Sequence, residues 1–289
     1  MSIIDEETTL WAPRLLDIFR RTTPRSTKID SYFHVYEKVL GRFAGRKITF
    51  VEVGVDNGGS LFMWRSYLGG KARIIGVDID PSAKRLGEYG FEIFLGDQSD
   101  PAFWEEFYGK VGPVDVLLDD GGHTNHQQIV TAHEAIRNLQ DGGVLLIEDA
   151  HTSYMKEYGN PSKYSFVNFA KHVVNSVNSR FEDIARAENG YWRRVVSVEF
   201  FESIVVFNID STKCSASKPV TSGLETSNME DRQASVRLHE STVGVGTEVP
   251  KGGLSTRKNV MVGLPNVLVK AARRVNAFVK SQQLRRYFR

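Results

Sequence analysis

The stretch VLLDDGGHTNHQQ, residues 116–128, runs an apolar strand straight into Asp119, Asp120, His123 and His126. Burying such charge costs free energy, and a loop is built as easily from uncharged polar residues. Either the acids cap the helix that follows, or they hold a ligand. A second run, GVLLIEDAHTSY (143–154), repeats the pattern: Glu148 and Asp149 end an apolar strand, and His151 and Tyr154 follow.

The elements that must position these groups are legible as alternating patterns. Apolar, β-rich runs at 47–54, 72–79, 91–96, 114–120 and 143–149 alternate with amphipathic stretches around 60–68, 82–89, 101–109, 125–138 and 161–178. Such alternation predicts an α/β fold, Rossmann-like, with a mainly parallel sheet covered on both faces. RRVVSVEFFESIVVFNI (193–209) then supplies two strands around a short turn, which only antiparallel strands accept. The expected domain of seven strands spans 46–210, with a C-terminal antiparallel hairpin and a helical N-terminal extension over 1–45. In this architecture ligands gather at the carboxyl ends of the strands, where the acids lie.

The first strand ends in VEVGVDNGGS (51–60), which makes Glu52, Gly54, Asn57, Gly58 and Ser60 candidates for contacting a cofactor. A dinucleotide fingerprint would place glycines at 54, 56 and 59, but position 56 is Asp. A carboxylate there repels phosphates, so NAD and FAD are disfavoured. A cation without phosphates fits better, and S-adenosylmethionine is one. Asp78, ending the second strand, is placed for ribose hydroxyls, and Asp97 and Gln98 after the third for an adenine edge. Asp100, before Pro101, reads as a helix cap.

Taken in order, FVEVGVDNGGSLFMWRSYL, IIGVDID, GDQSDPAFW, LLDDGGHTNHQQ and GGVLLIEDAHTSY resemble class I S-adenosylmethionine-dependent methyltransferases. More closely they resemble the metal-dependent O-methyltransferases of macrolide sugars, of the mycinamicin and tylosin type, whose pattern cephalosporin-hydroxylase-like proteins share. The resemblance covers roughly residues 25–208. It implies a methyltransferase sheet, a divalent metal held by Asp120, Glu148 and Asp149, and His123 as general base. Gly122 stands where the family usually has serine. An all-oxygen ligand set suits Mg²⁺, and two vicinal sugar hydroxyls would replace two of its waters. Strand parity turns Asp119 away from Asp120, toward the cofactor's methionyl ammonium. His151 and Tyr154 are candidates for the acceptor pocket; His126 and His133 read as ordinary residues of a helix. Lys28, Tyr32, His34 and Tyr36 form either a lid over the cofactor or, as the apolar spacing favours, a helix packed into the core. Two other classes stay open: a non-catalytic protein that binds S-adenosylmethionine or glycans, and an oxygenase.

Composition narrows the partners. The chain has 289 residues, 41% of them hydrophobic, and its apolar runs fall short of the roughly 20 residues a membrane span needs. Its one cysteine, Cys214, and an N-terminus without an apolar signal core predict a reducing cytoplasm. Ten Lys or Arg and no acid follow Glu248, so the first 248 residues hold 27 basic and 35 acidic residues, a net of −8. An acidic site region argues against nucleic acid as substrate. The expected acceptor is a sugar-bearing small molecule or a lipid-linked glycan, and a homo-oligomer is left open. Residues 211–258, rich in Ser, Thr and Gly, read as a flexible linker. Residues 259–289 read as a basic amphipathic helix, with Leu264, Val267, Leu268, Ala271, Val275, Phe278 and Val279 on one stripe. That helix either lies on an anionic membrane, making the enzyme peripheral, or docks on the domain or a partner.

Overall fold

A computed structural model of the chain describes residues 14–158, 162–181, 190–217, 220, 222 and 283–288. Residues 1–217 and 274–289 form one compact unit, and 218–273 a second, of which only Val220 and Ser222 are described.

The first unit is built on seven strands: β1 (Thr49–Val53), β2 (Arg73–Asp78), β3 (Glu92–Leu95), β4 (Val116–Asp119), β5 (Val144–Ile147), β6 (Val195–Phe200) and β7 (Val205–Ile209). They lie in the order β3-β2-β1-β4-β5-β7-β6. Pairing is parallel from β3 through β5, and β7 runs antiparallel to both β5 and β6. The expected parallel sheet with its closing hairpin is therefore present. The strand order reverses between β1 and β4, the position at which an open α/β sheet leaves a crevice.

Two layers cover the sheet, and side-chain parity decides which layer each residue meets. Val51, Leu117, Leu145 and Phe207 pack against α4 (Pro101–Val111), α5 (Asn125–Asn138) and α6 (Phe166–Asn178). Their neighbours Phe50, Leu118, Leu146 and Val206 pack against α1 (Arg14–Arg21), α2 (Tyr32–Leu40) and α3 (Gly59–Leu68). The N-terminal extension is thus one wall of the core: Tyr32, Phe33, Val35 and Tyr36 are all buried, while His34 is exposed.

Local chemistry sets the helix starts. Asp100 caps α4 by accepting from the Ala102 N–H (2.9 Å), with Pro101 at the first position. Thr124 and Gln127 form a reciprocal capping box at α5. Residues 82–89, expected as an ordinary helix, instead wind as a tighter 3₁₀ segment, Pro81–Tyr89. The fold also runs past the expected boundary at 210. Ser211–Lys213 make a turn, and Cys214 is buried with its Sγ 3.0 Å from the Arg180 guanidinium.

Most of the expected linker and the apolar stripe from Leu264 to Val279 lie outside the described residues. The end of the tail, 283–288, packs on the domain. Leu284 and Tyr287 are buried, and the Phe288 ring meets those of Tyr164, Phe169 and His172. Among the described residues, no helix is long and apolar enough to cross a membrane.

This docking has a pH consequence. The His133 ring lies 4.9 Å from that of Tyr287, and its Nδ1 is 2.7 Å from the Tyr191 hydroxyl. Burial, helped by Arg137 and Arg286, lowers its pKa to about 4. The unfolded chain, with an ordinary imidazole near 6.5, takes up the proton first. Stability is therefore full above about pH 6.5 and falls as pH drops toward 4, by on the order of 3 kcal/mol. Urea unfolding at pH 7 and pH 4.5 should display that loss, and His133→Gln should reduce it. An equal loss in both proteins would assign the acid sensitivity to other groups.

Candidate functional site

Among the described residues, four other than glycine adopt positive φ: Asp56 (43°), His123 (55°), Asp149 (54°) and Ser203 (63°). Backbone in that region costs on the order of 1–3 kcal/mol for a residue with a side chain, and such strain clusters where function demands it. Asp56, His123 and Asp149 follow the carboxyl ends of β1, β4 and β5, and Ser203 sits in the turn between β6 and β7. His123 pairs with Asp149, and Tyr32 and His151 bridge Asp149 to Ser203.

On one side of β4 lies a cleft of about 500 Å³, lined by residues that include Gly54, Asp56, Asn57, Asp78, Asp80, Arg85, Asp97, Gln98 and Asp120. Five carboxylates face one guanidinium, so the cleft favours a cation. Gly54, at φ 81°, allows the loops to meet: a Cβ there would stand 2.2 Å from the Asp120 carbonyl oxygen. Asp78 holds the adjoining turn by accepting from the N–H groups of Val55 (2.9 Å), Asp56 (3.1 Å) and Asp80 (2.9 Å). Asp97 accepts from the Ser99 N–H (2.8 Å), and the Asn57 side-chain oxygen accepts from Arg85 (3.1 Å). Arg85 was missed in the sequence, because an isolated arginine in an amphipathic stretch carries no signal.

Several expected cofactor contacts have partners within the protein. The Gln98 amide donates to both oxygens of Asp119 (2.9 and 3.0 Å) and accepts from the Gly122 N–H (2.8 Å), so it secures the loop after β4. Asp119 is buried, also accepts from the Gly121 N–H (3.0 Å), and does not itself line the cleft. Burial pushes its carboxyl up in pKa, and the Gln98 and Gly121 donors offset part of that rise. Glu52 is buried on the opposite face, where it accepts from Ser60 (2.8 Å) and the Trp64 indole (3.3 Å), and burial raises its pKa to about 7. Gly58 precedes α3 as its N-cap. Glu52, Gly58, Ser60 and Asp119 thus shape the walls of the cleft without lining it.

The expected metal ligands separate into two groups. Asp120, His123 and Asp149 bring one ligand atom each within 4.8 Å of the others. His123 Nε2 lies 3.3 Å from Asp149 Oδ2, and Nδ1 is buried without a hydrogen-bond partner among the described residues. Nε2 is therefore the ring nitrogen that faces the acids. Glu148 lies outside that group: its Oε1 accepts from the Tyr36 hydroxyl (2.5 Å) and its Oε2 from Lys28 Nζ (2.9 Å), which also donates to Asp120 Oδ2 (2.7 Å). Burial pushes the Glu148 carboxyl well above its usual pKa, and Lys28 opposes that shift. Parity explains the split, since Glu148 continues the face of Leu146 toward α2. Asp149, at positive φ, is rotated out of that register.

Asp149 accepts from the Tyr32 hydroxyl (2.6 Å), which lies 2.9 Å from Ser203 Oγ. His151 Nδ1 lies 2.5 Å from the same Oγ and 3.8 Å from Asp149 Oδ1. Tyr154 is 66% exposed and stands apart from this network. Tyr32 and Tyr36 are core residues whose hydroxyls reach the acids, so the helix reading is right and incomplete. Two carboxylates with waters suit a hard divalent cation, and a nearby imidazole suits proton transfer. His151 stays outside the group of three, so the two-histidine, one-carboxylate set of common non-haem iron centres is not assembled among the described residues.

Residues 51–150 match the methyltransferase domain family. The chain is 33% identical over 161 residues to the 8-demethyl-8-alpha-L-rhamnosyl tetracenomycin-C 2'-O-methyltransferase of Streptomyces olivaceus, covering 52% of this chain and 42% of that protein. It is 26% identical over 199 residues to the demethylmacrocin O-methyltransferase of Streptomyces fradiae, covering 64% and 50%. The chain spans about half the length, or less, of the curated relatives it matches. Among solved structures it shares the fold of the MycE methyltransferase from the mycinamycin biosynthetic pathway, in complex with Mg, SAH and mycinamycin VI. The TM-score is 0.59 at 20% identity, over 68% of this chain and 54% of that one.

The glycine at 122 has a local reason. A Cβ there would fall 2.2 Å from Gln127 Nε2, within the capping box. Gly122→Ser should displace Gln127, destabilise α5 by about 0.5–2 kcal/mol and disorder the His123 loop. Chemical denaturation checks the first effect and histidine NMR the second; an unaltered midpoint would mean that Gln127 yields freely.

Proposed function

We propose that the chain is an S-adenosylmethionine-dependent O-methyltransferase that uses Mg²⁺ to methylate a sugar hydroxyl on a glycosylated small molecule. The observation that carries this reading is the group of Asp120, His123 and Asp149 beside the acidic cleft, with Asp120 common to both. The relatives, named as O-methyltransferases acting on rhamnosyl tetracenomycin-C and on demethylmacrocin, support the reaction class.

The cleft takes the cofactor. Its carboxylates favour the sulfonium and ammonium charges, and Asp78 and Asp97 offer acceptors for ribose and adenine. Asp120 and Asp149 hold the divalent ion, which when bound lowers the pKa of a coordinated hydroxyl. His123 Nε2 accepts the hydroxyl proton, and Asp149 stabilises the resulting imidazolium. S-adenosylmethionine bound in the cleft would supply the methyl group, its carbon–sulfur bond breaking as the bond to the acceptor oxygen forms and leaving a neutral thioether. Ser203 and His151 border the acceptor side and orient Asp149 with Tyr32.

Calorimetry should register S-adenosylmethionine binding, and Asp78→Ala should weaken it at least tenfold, because three loop N–H groups lose their acceptor along with the ribose. Formation of S-adenosylhomocysteine with rhamnosylated acceptors should stop in EDTA and return with Mg²⁺. Asp149→Asn should abolish turnover while leaving cofactor affinity within about twofold. His123→Ala should slow it by about 10² to 10⁴. Full activity in EDTA would remove the metal from the mechanism. NAD binding in place of S-adenosylmethionine would overturn the reading as a whole.

A further inference from the structure

The loops after β4 and β5, which carry His123 and Asp149, are tied together by side chains that bind main chain. Gln128, buried on α5, donates from Nε2 to the Glu148 carbonyl (2.8 Å). In return Thr152, in the 3₁₀ turn Ala150–Tyr154, brings Oγ1 within 2.9 Å of the His123 carbonyl and 2.8 Å of the Asp149 carbonyl. A hydroxyl has one proton for these two acceptors. The Asp149 carbonyl already accepts from the Thr152 N–H (2.9 Å), whereas the His123 carbonyl meets no other donor among the described residues. The hydroxyl proton therefore belongs with His123.

Little else fixes the imidazole. A histidine that moves protons is commonly oriented by a hydrogen bond on its other ring nitrogen. Here that nitrogen is Nδ1, buried with no partner among the described residues. Nε2 has Asp149 Oδ2 at 3.3 Å, and the Tyr158 ring lies 6.4 Å from the imidazole. The ring is thus carried by its own backbone, at φ 55°, and its partner Asp149 stands at φ 54°. Backbone of that kind persists only where the surroundings enforce it. Thr152 is 3% exposed and reaches the carbonyls of both strained residues.

We propose that Thr152 is a positioning residue: its hydroxyl holds the His123 carbonyl to the loop after β5 and so sets where the imidazole stands beside Asp149. This rests on the function proposed above, in which His123 takes the acceptor proton, and adds a residue to it. Thr152 does not line the cofactor cleft, and it acts on the imidazole through main chain alone.

Thr152→Val in the full chain removes the hydroxyl, keeps the shape and leaves the main-chain bond to Asp149 in place. With rhamnosylated acceptors kcat should fall about 10- to 100-fold, the order that misplacing a reacting group by roughly 1 Å costs. The acceptor KM and the S-adenosylmethionine Kd should stay within about twofold. Thr152→Ser retains the donor and should restore kcat to within about threefold of the native chain. Carbon–proton NMR of the imidazoles reads the same tie without turnover. The His123 signal, identified by its loss in His123→Ala, should move in Thr152→Val and return in Thr152→Ser, while those of His133 and His172 stay in place. A native kcat and an unmoved His123 signal in Thr152→Val would overturn the proposal. So would an equal fall in Thr152→Ser, which would assign the effect to packing of the methyl group. Thr152→Ala carries the same comparison if Thr152→Val does not fold. A native chain that forms no S-adenosylhomocysteine would instead refute the methyltransferase reading, and the NMR comparison would still decide whether the hydroxyl places the imidazole.

Discussion

Glu52, Asp120 and Glu148 end three adjacent strands, and the first and last are buried on one face of the sheet. Like charges at such spacing cannot share a low-dielectric interior unless a cation joins them. Lys28 is that cation, and its position makes the N-terminal layer part of the site. Removing one partner of a buried pair costs about 3–5 kcal/mol, because the remaining charge is left uncompensated. Tyr32 and Tyr36, one helical turn apart, bury their rings in the core and extend their hydroxyls to Asp149 and Glu148. The same helix therefore closes the hydrophobic wall and orients the acids.

That coupling was only half legible in the sequence. The strands, their closing hairpin, the Asp100 cap and the place of the acids all follow from periodicity and turn chemistry, which act over a few residues. The partners of those acids do not. Lys28 and Glu148 are 120 residues apart, and nothing local to either announces the other. Parity placed Asp119 and Asp120 on opposite faces, yet it could not say that Gln98 waits on one face and Lys28 on the other. Asp119 is thereby held behind Gln98, which itself lines the cleft. Glu148 and Asp149 read as an equivalent pair, but a positive φ rotates Asp149 out of strand register and leaves Glu148 in it. The tetrad Lys28, Tyr32, His34 and Tyr36 did hold a clue: a lysine four residues before a buried tyrosine, facing strands that end in acids.

The two halves of the site are held by different means. On the cofactor side, backbone N–H groups converge on Asp78 and a glycine permits the loops from β1 and β4 to touch, so the shape is set by main chain. On the acceptor side, side chains dominate: Ser203 fixes Tyr32 and His151, and Asp149 joins both to His123. Main chain tolerates little change of shape. A network of hydroxyls and imidazoles can be re-formed by exchanging one member, which is where acceptor preference would vary while the cleft is retained.

Asp120 belongs to both halves, and the proposed reaction gives that position a consequence. Before methyl transfer the cleft holds a sulfonium, and after it a neutral thioether. The carboxylates lining the cleft favour the charged form, so electrostatic attraction to the cofactor falls once the methyl group has left. Attraction of this kind aids binding more than chemistry, since an interaction equally strong in ground and transition states does not speed the step. In the proposed reaction the acceleration has to come from the other half, where His123 and the two partly buried carboxylates, Asp120 and Asp149, would act on a hydroxyl whose charge develops as the bond forms. Lys28 pairs with Asp120 (2.7 Å) as well as with Glu148 (2.9 Å), so the carboxylate at the boundary of the two halves is also the one tied to the N-terminal layer.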